Sequence, residues 1–408
     1  MKKILLLGGS NSIIKAGLNL GLCDIDDIQL ALGASSCLQN IHAIVSNNTL
    51  IQQVDVVVTE SNVNDSYNVS NVGYCIVRMK ESIRLYYEEL YRLGKAVFVL
   101  LLPVKQYSSR SPEKIVVDQI NNVHRELANE YGYYLVDVDK ALSSSVFSTF
   151  EERVLQPDSL HMNDAFMYCL GANLRNYILR SEFEVREQFP SNYYAINLEP
   201  TGEKSNSKFS RSTSRIAKKT FVHNEQGLCV GVETWSDGPS QLIIEDANRK
   251  IVKGFNKNLS FNELDAFQSK SFSLESVIGP AMISTENSVN VKTPTMIEHL
   301  TNITSLLFIK NTVSYVNKNI SNNVIDISSL IPDFNPFLSA AEKLPFYIAN
   351  DSDANILRSA ALQLEKKNVS LSLKLMTLAA KIRPSGVYIK SKVKEYKALI
   401  SQRREEQG

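Results

Sequence analysis

Short apolar runs alternate with amphipathic helical patterns through the first 185 or so residues, and nothing else in the chain constrains its fold as tightly. The runs are Ile4–Leu7, Ile28–Leu32, Val54–Thr59, Ala96–Leu102 and Leu135–Val138. Each is brief and predominantly apolar, as a strand covered on both faces should be. Between them the apolar spacing predicts helices over Ser12–Leu20, Cys37–Ser46, Cys75–Leu93 and Pro112–Tyr131, with a last one from about Asp164 to Phe183. Gly94 and Gly132 stand where helix C-caps are expected. Strand and helix in strict alternation imply an α/β fold. The expected form is a doubly wound, flavodoxin-like, five-stranded parallel sheet with its site at the carboxyl ends of the strands.

The texture then changes. Glu199–Lys219 is rich in Ser, Lys, Asn and Thr and reads as a linker or exposed loop. From Phe221 to Ile331, β-type runs recur between turn residues: Leu228–Trp235, Gln241–Glu245, Ile251–Val252, Ser305–Ile309, Thr312–Val316 and Val324–Ile327. They predict a smaller all-β module, a sandwich. Ala354–Lys366, Ser370–Ile382 and Val387–Ile400 are amphipathic. With small Ala360 and Ala379 at expected packing points, the first two resemble a tetratricopeptide-like hairpin, and an ordinary helical cap fits as well. The expected domains are thus 1–185, 186–335 and 336–408, and a fragment ending near Ser191 is expected to fold alone.

The chain has 408 residues, 44% hydrophobic and 21% charged, with a formal net charge of +1. That balance gives no bulk attraction to nucleic acid. Five scattered cysteines with no CxxC pair read as reduced thiols. Ile4–Leu7 is too short for a signal-peptide core, and no stretch approaches a membrane span. The expected location is cytoplasmic.

Three stretches carry chemistry. Gly8-Gly-Ser10-Asn-Ser12 follows the first strand and opens a helix. A hydroxyl there sits beside the free N–H groups and partial positive charge of a helix N-terminus. Glu60-Ser-Asn62-Val-Asn64-Asp65 follows the third strand, and Gln156-Pro-Asp158-Ser-Leu-His161 precedes the last helix. Taken singly, these are a tight turn, an Asx turn and a polar helix start. Together they supply a nucleophile, a base, a carboxylate to orient it and donors for an oxyanion.

The set resembles the SGNH (GDSL) hydrolase family over residues 1 to about 185. Ser10 matches the nucleophile block. Gly33, in Leu32-Gly-Ala-Ser-Ser36, matches the glycine whose N–H helps form the oxyanion hole. Asn64 matches the asparagine donor, and Asp158 with His161 matches the D-x-x-H block. Two positions depart: Gly9 stands where the family has Asp, and Asn62 where it has Gly. The resemblance implies a Ser10–His161–Asp158 triad, an oxyanion hole from Ser10, Gly33 and Asn64, and no cofactor or metal. The remaining histidines, His42, His124, His223 and His299, have no ligand spacing and read as structural or surface residues.

The reading that follows is a serine esterase removing acyl, foremost acetyl, groups from a carbohydrate or small ester. Two alternatives stay open: an O-acyltransferase of surface-polysaccharide assembly using the same triad, and a non-catalytic glycan-binding or scaffold protein. No glycine-rich motif readable as a coenzyme A site is present. Asp65, Tyr67 and Tyr74 follow the third block and are candidate pocket residues, with packing as the alternative for the tyrosines. Trp235 reads as a core anchor or a sugar platform. Lys390, Lys394 and Lys397 share one helix face, solvated or turned to an acidic protein partner.

Overall fold

The structure, a computed structural model, describes residues 2–14, 16–34, 36–109, 111–145, 147, 149–184, 186–222, 227–268, 271–288, 294–314, 316, 323–342, 351–365 and 368–405. The chain forms two compact units, one of Met1–Val146 with Ser159–Pro332, the other of Phe147–Asp158 with Asp333–Gly408.

In the first unit, β1 (Ile4–Leu7), β2 (Ile28–Gln29), β3 (Val56–Thr59), β4 (Ala96–Leu101) and β5 (Tyr134–Asp137) pair in parallel in the order 2-1-3-4-5. This is the flavodoxin-like order. The helices Cys37–Ser46, Ile76–Arg92, Lys114–Glu130 and Asp164–Arg180 lie where the apolar spacing puts them. Gly94 and Gly132 follow two of them with φ of 65° and 59°. The helix expected over Ser12–Leu20 is instead two pieces, Ser10–Ile13 and Leu18–Leu22. The second piece packs on helix Asp164–Arg180 so closely that a Cβ on Gly21 would lie 2.0 Å from the Tyr168 carbonyl oxygen. One continuous helix could not serve both the turn after β1 and that crossing.

Among the described residues the β-rich part has twelve strands: β6 (Tyr193–Asn197), β7 (Gly202–Ser205), β8 (Ser210–Ile216), β9 (Lys218–Val222), β10 (Gly227–Thr234), β11 (Ser240–Glu245), β12 (Lys250–Phe255), β13 (Ser260–Gln268), β14 (Ser271–Ser276), β15 (Gly279–Pro280), β16 (Met296–Ile297) and β17 (Thr301–Lys310). One sheet runs β13-β10-β17-β8-β7, with β6 also on β17, and a second runs β12-β11-β14-β9. Val232 and Leu306 from the first share a core with Leu242, Ile244 and Leu274 from the second, so a sandwich is present.

Three expectations need correction. Glu199–Lys219 is no linker, because it holds β7 and β8. Its inward side chains include Thr213 and Ser214, so the pattern carries no apolar period. Val324–Ile327 does not belong to the sandwich. Its core, β18 (Ile325–Asp326), pairs in parallel with β5 and makes the first sheet six-stranded. Thr312–Val316 forms no strand among its described residues, and His223 lies outside the described residues.

The chain also does not divide near residue 185. Arg186 N–H donates to the Gly94 carbonyl and Phe189 N–H to that of Arg92. The buried Arg92 guanidinium, paired with Glu88 at 3.0 Å, donates to the carbonyls of Pro190 and Ser314. Trp235, Leu259, Phe261 and Leu307 of the β-rich part join the same core as Leu5, Val57 and Val97. Trp235 is therefore a core anchor.

The second unit packs helices Asp351–Leu364, Val369–Ile382 and Val387–Glu405 around Ala361, Met376, Ala379, Ile389 and Tyr396. Ala361 fills the place expected for Ala360. Lys390, Lys394 and Lys397 are exposed. No helix among the described residues is long and apolar enough to cross a membrane.

A fragment ending at Ser191 lacks the four β-rich core residues named above. Each fully buried large apolar side chain contributes about 1.5–3 kcal/mol. Their loss rivals a typical net stability of about 5–15 kcal/mol. The fragment should therefore lack a cooperative melt and be cleaved rapidly by trypsin, whereas residues 1–332 should melt cooperatively. A sharp melt of the short fragment would show that the parallel sheet stands alone.

Candidate active site

The site forms where the first two βα turns of the parallel sheet, the end of β3 and the loop before helix Asp164–Arg180 converge. Gly8 leaves β1 at φ +147°, and a Cβ there would strike Ser12 Oγ at 2.6 Å and the Glu60 carbonyl oxygen at 2.8 Å. Only glycine fits this turn. Ser10 then opens the helix Ser10–Ile13. With a single turn, that helix has little macrodipole, so any anion stabilisation must come from individual N–H groups.

Ser10 Oγ lies 2.7 Å from His161 Nε2. A methyl group on Gly33 would stand 3.8 Å from Ser10 Cβ, so the second block lies beside Ser10. Asn64 is 4% exposed, and its Nδ2 has no hydrogen-bond partner among the described residues. It rests against Gly9, where a Cβ would come within 2.0 Å of Nδ2. The glycine that replaces the family's Asp thus makes room for the Asn64 amide. The other departure, Asn62, donates to the Leu102 carbonyl at 2.7 Å and accepts from Leu102 N–H at 3.2 Å. It ties the exit of β3 to that of β4. Asp158 is exposed and closes the segment Phe147–Asp158 of the second unit.

Two residues that the motifs do not single out hold this arrangement. Asn11, 3% exposed, donates from Nδ2 to the Leu160 carbonyl at 2.9 Å and accepts from Met162 N–H at 3.2 Å. One amide thus grips both neighbours of His161. Ser159 adds a third hold, its carbonyl accepting from Lys105 N–H at 3.1 Å. Glu60 sits against the turn that carries Ser10, where its Oε1 accepts from Gly9 N–H at 2.8 Å and Ser12 Oγ at 3.0 Å. Burial pushes the Glu60 carboxyl up to about 7. A carboxylic side chain ending an otherwise apolar strand was the available signal for Glu60. For Asn11 the sequence offers none.

Asp65 is not a wall of this cleft. It is fully buried, accepts from Cys37 N–H at 2.8 Å and meets His124 Nε2 at 3.3 Å. His124 Nδ1 in turn meets the Tyr87 hydroxyl at 3.0 Å, so both act as internal struts. Tyr74 lines a different cavity, with Lys253 and Glu263.

Chemically, the site pairs a half-buried hydroxyl with an imidazole able to take its proton, and it holds an amide donor without a partner among the described residues. Solved structures similar to this chain include a lipase/acylhydrolase from Enterococcus faecalis, at 18% identity over 44% of this chain and 95% of that one, with a TM-score of 0.35. Also similar are an acetyl xylan esterase, at 16% over 44% and 100% with a TM-score of 0.36, and an acetylxylan esterase from Geobacillus stearothermophilus, at 16% over 46% and 96% with a TM-score of 0.33. No protein-family model and no curated protein matches the sequence.

Asn11→Leu removes both holds on the His161 loop at nearly constant volume. Because an error of about 1 Å in a reacting pair costs on the order of 100-fold, labelling of Ser10 by a fluorophosphonate should slow by about that factor. The melting temperature should fall as well, because the Leu160 carbonyl and the Met162 N–H lose their partner, and Asn11→Asp, which keeps the acceptor, should recover part of the rate. Equal rates in all three proteins would remove Asn11 from this role.

Glu60 generates a second expectation. Its carboxyl holds a proton more tightly folded than unfolded, so its stabilising share is complete below pH 4.5 and is lost as pH rises through 7. At about 1.4 kcal/mol per pH unit the loss totals roughly 3 kcal/mol. Glu60→Gln keeps an acceptor without the charge. Urea unfolding should show the variant gaining on the wild type between pH 5 and pH 8, and a constant difference would contradict the assignment.

Proposed function

We propose that this protein is a serine esterase that removes small acyl groups, acetyl foremost, from the hydroxyls of a carbohydrate. The observation that carries the reading is the 2.7 Å contact between Ser10 Oγ and His161 Nε2, the reach of a nucleophile and its general base.

The Ser10 hydroxyl donates its proton to His161 Nε2 as Oγ bonds to the ester carbonyl carbon. The carbonyl oxygen becomes an oxyanion, received by the N–H groups of Ser10 and Gly33 and by Asn64 Nδ2. An amide donor without a partner among the described residues is suited to that task, since it needs no bond broken first. Asp158 orients the imidazole and stabilises its protonated form. His161 then returns the proton to the departing alcohol oxygen. Water, deprotonated in turn by His161, attacks the acyl-enzyme, and the acid leaves as Ser10 regains its proton.

The test uses the full chain with p-nitrophenyl acetate and a fluorophosphonate. Ser10 should carry the label, and Ser10→Ala should abolish turnover, a loss of about 10,000-fold or more. Asn64→Ala should lower kcat by about 100- to 1,000-fold with little effect on stability. Label on another serine, or turnover that survives Ser10→Ala, would sink the proposal. Turnover only when acetyl-CoA and an acceptor sugar are both present would replace hydrolysis with acyl transfer.

A further inference from the structure

A separate cavity lies in the first unit, where helix Cys37–Ser46 meets β8, β10 and β17. It measures about 370 Å³, within the ~300–1,000 Å³ range of small-molecule sites. Its wall holds a buried polar side chain that the fold leaves unsatisfied. Gln39 is 3% exposed, and its Oε1 has no hydrogen-bond partner among the described residues. A buried acceptor in that state is costly unless a ligand or water supplies a donor.

The neighbouring charges are already matched. Glu233 accepts from Thr304 Oγ1 at 2.6 Å and from Arg211 Nε at 3.3 Å. His42 meets Ser305 Oγ at 2.6 Å and Ser46 Oγ at 3.2 Å, and burial lowers its pKa, so it adds no charge at neutral pH. An anionic ligand would meet Glu233, and a cationic one would meet Arg211. A neutral, hydroxyl-bearing ligand meets neither penalty. Leu30 and Leu198 supply apolar surface for C–H groups. Leu30 also stands three residues before Gly33, a span of about 10 Å at most.

We propose that this cavity binds one uncharged sugar residue, a sugar hydroxyl donating to Gln39 Oε1 beside the Arg211–Glu233 pair. The site is independent of the esterase reading, because it requires no chemistry at Ser10.

Saturation-transfer NMR on the full chain tests it with glucose, galactose, xylose and N-acetylglucosamine, against glucuronate and glucosamine as charged comparators. At least one neutral sugar should bind saturably and more tightly than either comparator. Gln39→Met, which removes the open acceptor, should weaken that binding about tenfold and melt no lower than the wild type. Arg211→Ala, at a partly exposed position, should weaken it comparably and serves where the first variant fails to fold. No saturable neutral sugar, tighter binding of a charged comparator, or unchanged affinity in the folded variants would overturn the assignment.

Discussion

One side chain sets the working distance of this site. Ser10 and His161 are 151 positions apart, and Asn11 joins the backbone beside the one to the backbone on both sides of the other. Each bond is worth only about 1 kcal/mol net, so Asn11 adds only modestly to stability. Its importance is geometric, since a backbone held on both sides of His161 leaves the imidazole few positions. Glu60 draws Gly9 and Ser12 onto one carboxyl oxygen. The turn that carries Ser10 is thereby held by two polar side chains, Asn11 and Glu60.

The same device recurs between the parallel sheet and the β-rich part. Ser36, which precedes helix Cys37–Ser46 and follows Gly33 by three residues, bonds to Glu263 of β13. His42 of that helix bonds to Ser305 of β17. Arg92 bonds to carbonyls on either side of the β-rich segment. Such buried polar pairs add little net stability, but mismatching one leaves a desolvated group unpaired at about 1–3 kcal/mol. They therefore select one docking geometry, while the shared apolar core supplies the driving force. The loop carrying Gly33 is braced from the β-rich part, which gives that part a structural stake in the candidate oxyanion hole.

Much of the parallel sheet was legible because its central strands are covered on both faces and so are largely apolar, as in Ile4–Leu7 and Ala96–Leu101. Helix Cys37–Ser46 matched at both ends, and Gly94 and Gly132 marked terminations with positive φ. Legibility failed where burial is polar or pairing is distant. β8 hides Thr213 and Ser214 and only one aliphatic residue, Ile216. β18 is two residues long and takes its partner from Tyr134–Asp137, nearly 200 positions earlier.

Sequence alone determined the alternation that yields a 2-1-3-4-5 sheet, the position of Ser10 after β1, and the chain order of the four blocks. These are local facts, written in apolar runs, glycine turns and short polar motifs. Tertiary structure alone decided that Ser10 and His161 meet, that Asn11 and Glu60 hold them, that Asp65 is an internal strut, and that the β-rich part completes the first core. Those outcomes depend on which residues arrive opposite one another across 50 to 300 positions. A single polar side chain carries no mark of its partner until the fold brings the two together.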